Sequence, residues 1–232
     1  MIRSTLREKK NDYADVNTYT FSSSASIVFH PGQFCHVLIP RLSLFPRWVR
    51  HISFASSPTD TDIVFTIDGS SNSPWHRAMK SLDSGDQILV YGVHGHLAFP
   101  DDPQCPTICI AGGVGATPFR SLFRSARSEK STRTITFVHV ASKGFLYEEE
   151  FSTYPITQYR IGRRDVDATL GKVVSENHSG RYLVSGAPSF ARAMAEKIIA
   201  LGVPPRNILS DDFRRPRIQA RRRRTSQRVS VE

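Results

Sequence analysis

The segment Cys109-Ile-Ala-Gly112-Gly113-Val-Gly115-Ala-Thr117-Pro118 decides the reading of this chain. Thr107–Ala111 is a short, continuous apolar run, which reads as a buried strand. Pro118–Ala126 reads as a helix, with proline at its first turn. The glycines between them allow a tight turn and let a ligand approach where no Cβ stands in the way. A helix N-terminus presents unpaired N–H groups and a partial positive charge, so a diphosphate is its natural guest. The spacing is not G-x-G-x-x-G, because Pro118 takes the last glycine position. No Lys-Ser/Thr follows, so it is not a phosphate loop of the Walker type.

Outward from this turn the chain shows two textures that meet near residue 103. Before it, short β-type runs alternate with turn residues: 17–21, 27–29, 33–39, 51–55, 62–67 and 87–91. A single helical pattern, 74–82, interrupts them. This spacing predicts an antiparallel barrel or sandwich. After it, strands at 107–111, 134–140, 157–161, 181–185 and 207–209 alternate with helices at 118–126, 146–151 and 189–201. That alternation predicts a parallel sheet with crossover helices. Asp101–Pro106 is the expected linker. The predicted organisation is therefore 1–103, 104–213 and a basic tail, 214–232.

Charge misleads at first sight. The net charge is +10, but the last 19 residues hold eight arginines and one acid, leaving only +3 for the preceding 213 residues. The body is ordinary and mildly basic; the tail is expected to be disordered. Three cysteines, Cys35, Cys105 and Cys109, make no disulfide framework, and a four-cysteine iron–sulfur ligand set is excluded. Four extended residues separate Cys105 from Cys109 by about 13 Å, beyond disulfide reach. No apolar run reaches the roughly 18 residues of a membrane span. The first residues lack the apolar core of a signal peptide, so a cytoplasmic protein is expected. His94-x-His96 lacks a third metal ligand at a recognisable spacing, so no metal is expected. Glu148–Glu150 reads as a solvated helix face.

The pattern GGxGxTP in AGGVGATPFRS strongly resembles the pyridine-nucleotide loop of the ferredoxin–NADP reductase superfamily. Other marks follow in the family's order. Pro31-Gly32-Gln33-Phe34 resembles its PGQF strand. Arg50-His51-Ile52-Ser53-Phe-Ala-Ser56-Ser-Pro58 resembles R-x-Y-S-x-x-S-x-P. Gly85-Asp86 with Gly92-x-x-Gly95-x-x-x-Phe99 resembles GD…GP-x-G-x-F. Leu146–Phe151 resembles LYxEEF, Ser185-Gly186-Ala-Pro188 its CGxx turn, and Asp211-Asp-Phe213 its terminal E-x-F. The resemblance covers about residues 15–213.

It implies an antiparallel Greek-key β-barrel that binds FAD, followed by a Rossmann-like α/β domain that binds NADPH or NADH, in a stand-alone two-domain form. By this resemblance Arg50, His51, Ile52, Ser53, Ser56 and Ser73 hold the flavin. Gly112, Gly113, Val114, Gly115, Thr117, Pro118, Lys143, Arg163, Arg164 and Gly186 hold the pyridine nucleotide. Ser53, Ser185 and Asp211 are the catalytic candidates, Asp211 for positioning or protonating the flavin ring. A guanidinium at 50 suits a diphosphate, and Ser73 also reads as the cap of the 74–82 helix. Gly162-Arg163 resembles the Ser-Arg of relatives that prefer NADPH, although Asp165 and Asp167 stand close by.

Two departures stand out. Ile52 replaces the tyrosine that would stack on flavin, with Phe54 or Trp75 as possible substitutes. The chain also runs past Phe213 into Arg214-Arg-Pro. The implied activity is hydride transfer from NAD(P)H to FAD, with electrons leaving to a ferredoxin-like protein or another one-electron carrier. A monomer is expected. Two alternatives stay open: a flavin-binding module without turnover, and a binder of acidic partners or nucleic acid acting through the arginine-rich tail.

Overall fold

The computed structural model describes residues 1–40 and 49–211. The arginine-rich tail and Phe213 lie outside the described residues.

Two sheets follow one another along the chain. The first holds β1 (Ile2–Tyr13), β2 (Val16–Ser23), β3 (Phe34–Leu38), β4 (Val49–Ser53), β5 (Ile63–Asp68) and β6 (Gln87–His94), in the order β4-β3-β6-β1-β2-β5. Every pairing in it is antiparallel. The return of β6 to lie between β3 and β1 is the Greek-key connection. The edges approach each other just past β4, where Ala55 N–H donates to the Val64 carbonyl (2.8 Å) and Val64 N–H to Ser56 Oγ (3.1 Å). These bonds turn the sheet into a barrel around Leu6, Phe21, Val37, Phe54, Phe65, Trp75 and Ile88. Helix α1 (Pro74–Lys80) closes one end, burying Trp75 and Met79.

The second sheet is parallel, ordered β11-β10-β7-β8-β9, with β7 (Thr107–Gly112), β8 (Ile135–Val140), β9 (Thr157–Ile161), β10 (Arg181–Ser185) and β11 (Ile208–Ser210). Both faces are covered, so β8 is buried along its whole length. Helices α2 (Thr117–Ser128) and α3 (Glu148–Ser152) pack Phe119, Phe123 and Phe151 against Phe137 on one side. Helices α4 (Val166–Glu176) and α5 (Pro188–Ala200) cover the other with Leu170, Val173, Met194 and Ile198. The order reverses at β7, whose neighbours are β8 on one side and β10 on the other. Ligands of such sheets bind in the crevice this reversal opens.

The fold class expected from sequence holds in both halves. Three elements differ. Residues 27–29 form no strand; the stretch is a loop, with Val28 exposed and Phe29 stacked on Phe54 at 4.0 Å. Strand β1 lacks the alternation that would reveal it, because beyond Leu6 its residues are largely exposed and charged. Past Thr5 its ladder partner is β2 alone, while β2 itself stays paired with β5 from Val16 to Phe21. Helix α4 falls where the sequence predicted no helix; it buries Val166, Leu170, Val173 and Val174, with Gly171 in their midst facing open space.

Candidate functional site

The glycine-rich turn lies at the point of reversal. β7 ends at Gly112, Gly113–Ala116 make one 3₁₀ turn, and α2 begins at Thr117 with Pro118 in its first turn. The three glycines have three separate reasons. A Cβ on Gly115 would stand 2.3 Å from the Ser185 carbonyl oxygen and 2.8 Å from Gly186 Cα, so this residue packs against the end of β10. Cβ atoms on Gly112 and Gly186 would stand 2.7 and 2.8 Å from the Phe190 ring, which covers both. Gly113 has φ +53°, and a Cβ there would meet nothing within 4 Å. It is the open glycine, in a left-handed conformation on the approach side.

Around it is a cavity of about 370 Å³, lined by Gly112, Gly113 and Val114 with Lys143, Arg163 and Phe190. The barrel supplies the facing wall. The β1–β2 turn places Tyr13 and Asp15 there, and the end of β5 places Asp68. Tyr13 lies flat against Gly144, where a Cβ would stand 2.6 Å from its ring. Lys80 pairs with Asp15 at 2.6 Å and holds its carboxyl below the ordinary range. Of the residues expected around this nucleotide, Arg164 is exposed and outside the lining, and Gly115, Thr117 and Pro118 are buried. Thr117 donates its hydroxyl to the Val114 carbonyl at 2.7 Å, which ties the 3₁₀ turn to α2. Ser185 is fully buried at the end of β10, its hydroxyl unpartnered among the described residues. Asp211 is buried beside the same strand, its N–H donating to the Val184 carbonyl at 3.0 Å.

The residues expected at the flavin lie on and around β4. Arg50 and Ile52 are half-buried, His51 is exposed, and Ser53 is buried opposite Phe34. Arg50 is close to α1: burial and then the Arg50 charge hold His76 below its ordinary pKa. Two serine hydroxyls are engaged within the protein. Ser56 accepts from Val64, as above, and Ser73 caps α1, accepting from His76 N–H at 3.4 Å and pairing with His76 Nδ1 at 2.7 Å. The suggested aromatic substitutes for the missing tyrosine fail. Phe54 and Trp75 have no exposed surface; both belong to the barrel core, and Trp75 donates its indole N–H to the Val37 carbonyl. His94 and His96 also separate. His94 ends β6 with its ring 5.2 Å from His36, whereas His96 lines a second cavity beside Cys105. Among the described residues no group of three or more His, Cys, Asp or Glu is placed to hold a metal ion.

Glu150 is the clearest correction. It is no solvated face but the hub of a network across the seam. Arg120 Nε reaches it at 2.6 Å, Arg124 at 3.0 Å and the Tyr154 hydroxyl at 2.6 Å. Arg124 grips Asp60 through two bonds of 2.9 and 2.8 Å, and Arg120 donates to the Ala55 carbonyl. Nearby, the Ser57 and Ser125 hydroxyls pair in the interior at 2.9 Å. Helix α2 is thus bolted to residues 55–60, which directly follow β4. Both acids titrate low: burial pushes them up, and the arginines more than reverse it. The sequence carried no signal for these partners, since Arg124 and Asp60 are 64 residues apart.

A two-domain protein of the ferredoxin–NADP reductase fold is what this barrel, reversed parallel sheet and glycine turn define. Known proteins of similar structure and sequence agree. A ferredoxin NADP+ reductase from Neisseria gonorrhoeae with bound FAD and NADP superposes with a TM-score of 0.75 at 16% identity, covering 90% of this chain and 97% of that one. The ferredoxin reductase of carbazole 1,9a-dioxygenase gives 0.75 at 18% identity, covering 91% and 69%. In sequence, one component protein of the Na(+)-translocating NADH-quinone reductase of Pseudomonas paraeruginosa is 28% identical over 187 aligned residues, 70% of this chain and 44% of its own length. A flavohemoprotein of Rhizobium meliloti is 22% identical over 215 residues, 80% of this chain and 53% of that protein. The chain spans about half the length of these curated relatives. No protein-family model matches it. No helix among the described residues is long and apolar enough to cross a membrane.

Proposed function

We propose that this chain is an NAD(P)H-dependent flavoprotein reductase that passes electrons from NAD(P)H through FAD to a separate one-electron carrier. One observation carries the proposal: the open, left-handed Gly113 at the strand-order reversal, facing a cavity that Lys143 and Arg163 line. A dinucleotide diphosphate fits that turn, and the two cations suit a 2′-phosphate, which favours NADPH over NADH. Of the acids near this site, Asp15 is already paired with Lys80 and Asp167 with Lys197.

FAD fits less completely. Arg50, beside the first turn of α1, suits its diphosphate, but no exposed aromatic stands near Ile52 among Phe54 and Trp75. When bound, the two cofactors would supply the redox chemistry, a hydride donor and a carrier that converts two-electron to one-electron transfer. The chain's own residues bind and orient. Arg50 neutralises the flavin diphosphate, and Lys143 and Arg163 fix the adenosine end of the nucleotide. Ser53 and Ser185 are the hydroxyls this reading assigns to the meeting of the two rings. The α2 network holds the two binding surfaces at a set separation.

A second reading keeps the fold and removes turnover, and Ile52 with its buried aromatic neighbours favours it. Reconstitution with FAD, followed by anaerobic titration with NADPH and then NADH, decides between them. Tight FAD uptake and bleaching by NADPH at lower concentration than NADH supports the reductase. FAD uptake without bleaching supports the silent module. No uptake of either cofactor refutes both.

A further inference from the structure

Beneath the glycine turn sits His139, the next-to-last residue of the buried strand β8 and only 1% exposed. It stands opposite Ala111 in the β7–β8 ladder, between the rings of Phe137 (5.6 Å) and Phe145 (5.3 Å). Its Nε2 lies 3.0 Å from the carbonyl oxygen of Gly113. A carbonyl has no proton to give, so Nε2 must carry the hydrogen and Nδ1 the lone pair. Burial holds the ring down to about 4, with the Gly113 bond pulling weakly the other way and the Arg160 charge adding to the fall. At neutral pH it is an uncharged, single-donor imidazole.

We infer that His139 is a positioning residue for the anion-binding turn: by fixing the Gly113 carbonyl inward it aims the N–H of Val114 outward, at the diphosphate. The step is stereochemical. In a trans peptide C=O and N–H point in opposite directions. With the carbonyl tied to β8, the hydrogen of the same peptide points the opposite way, and Gly113 and Val114 both line the cavity, which Val140 and Ala141 at the end of β8 and Ala187 after β10 also border. Gly113 is a glycine with open space where its Cβ would be, so no side chain of its own helps the 3₁₀ turn hold the 113–114 plane, and the hold from β8 adds to the turn's own bonds. A rotated plane would turn a carbonyl dipole toward the phosphate oxygens, replacing attraction with repulsion. His139 selects one of two peptide orientations without touching the nucleotide.

The inference rests on the proposed nucleotide site, and the test separates the two. Holoprotein carrying FAD is prepared as wild type, His139→Phe, which keeps a flat apolar ring and loses the donor, and His139→Gln, whose amide N–H can occupy the place of Nε2. Binding is measured for NADP+ and for 2′-AMP, which shares the phosphorylated adenosine but lacks the diphosphate. His139→Phe is expected to weaken NADP+ by roughly 10- to 100-fold, the range for a hydrogen bond to a charged group. It should leave 2′-AMP within about threefold of wild type, and FAD content unchanged. His139→Gln is expected to recover most of the NADP+ affinity. Equal loss of both ligands, or loss that glutamine does not recover, makes the role merely structural and overturns the inference. So does unchanged NADP+ binding in His139→Phe. If wild-type protein binds neither probe, the nucleotide site itself is refuted.

Discussion

Replacing Gly115 by alanine separates what the glycine turn does for the fold from what it does for a ligand. The backbone at 115 is not left-handed, so alanine has no conformational objection there; the obstacle is steric. Its methyl would lie 2.3 Å from the Ser185 oxygen, 2.6 Å from the carbonyl carbon and 2.8 Å from Gly186 Cα. All three are backbone atoms of a segment whose partner, Ala111, is fixed in the β7–β10 ladder. Restoring ordinary contact needs a separation of about 1 Å, with no side chain able to swing aside. Overpacking of this kind costs about 1–3 kcal/mol, and a backbone obstacle puts Gly115→Ala at the upper end, about 3 kcal/mol. For a chain of this size that lowers the melting temperature by roughly 6–12 °C. Gly113→Ala is the control: its methyl meets nothing within 4 Å, so only the left-handed backbone opposes it, at about 1–2 kcal/mol. The methyl would, however, stand on the approach side. Thermal and urea unfolding without nucleotide, followed by NADP+ titration, reads both effects. Gly115→Ala should be the less stable, and Gly113→Ala should lose more affinity for each degree of melting temperature lost. A Gly115→Ala protein that melts within about 2 °C of wild type would refute the packing argument.

Three more outcomes are expected. Lys143→Ala and Arg163→Ala together should weaken NADPH by about tenfold or more while changing NADH by less than about threefold, in steady-state or binding titrations. Asp60→Asn should destabilise the protein by about 1–3 kcal/mol at pH 7, between the values for exposed and buried ion pairs. Because Asp60 titrates below its unfolded value, its contribution is present above about pH 4 and fades as pH falls through the lower, folded value, so wild type and variant should converge in acid urea melts. Ile52→Tyr should tighten FAD by roughly 3- to 10-fold, the worth of one aromatic stack, in fluorescence titration of the apoprotein.

The parts of this fold that could be read from sequence are those governed by neighbours along the chain. Apolar runs bounded by glycine and proline placed β7, β8 and β10, and Pro118 marked the start of α2. The glycine turn was legible because one short segment holds strand, turn and helix start together. What escaped depends on distance. The charged residues of β1 hide a strand because only its first few positions face the barrel core. Gly171 and Thr169 dilute α4, whose stability comes from packing on the sheet rather than from propensity. Glu150 reads as one of three solvent-facing acids until α2 brings two arginines to it. Tyr13 and Asp15 reach the cavity beside Gly113 only because the β1–β2 turn lies next to the end of β5, where Val16 pairs with Asp68, and His139 meets the glycine turn only through the folding of β7 alongside β8.

Helix α2, at twelve residues, is about 18 Å long. One end continues into the glycine turn beside the cavity, and its flank is riveted to the stretch that leaves β4. It is therefore a common beam for two rooms. The halves of this protein are not interchangeable bricks: an α/β half grafted onto a foreign barrel would arrive without Asp60, Ser57 and the Ala55 carbonyl, and its beam would hang loose. Evolutionary exchange of barrels across this joint would have to carry those three anchors with them.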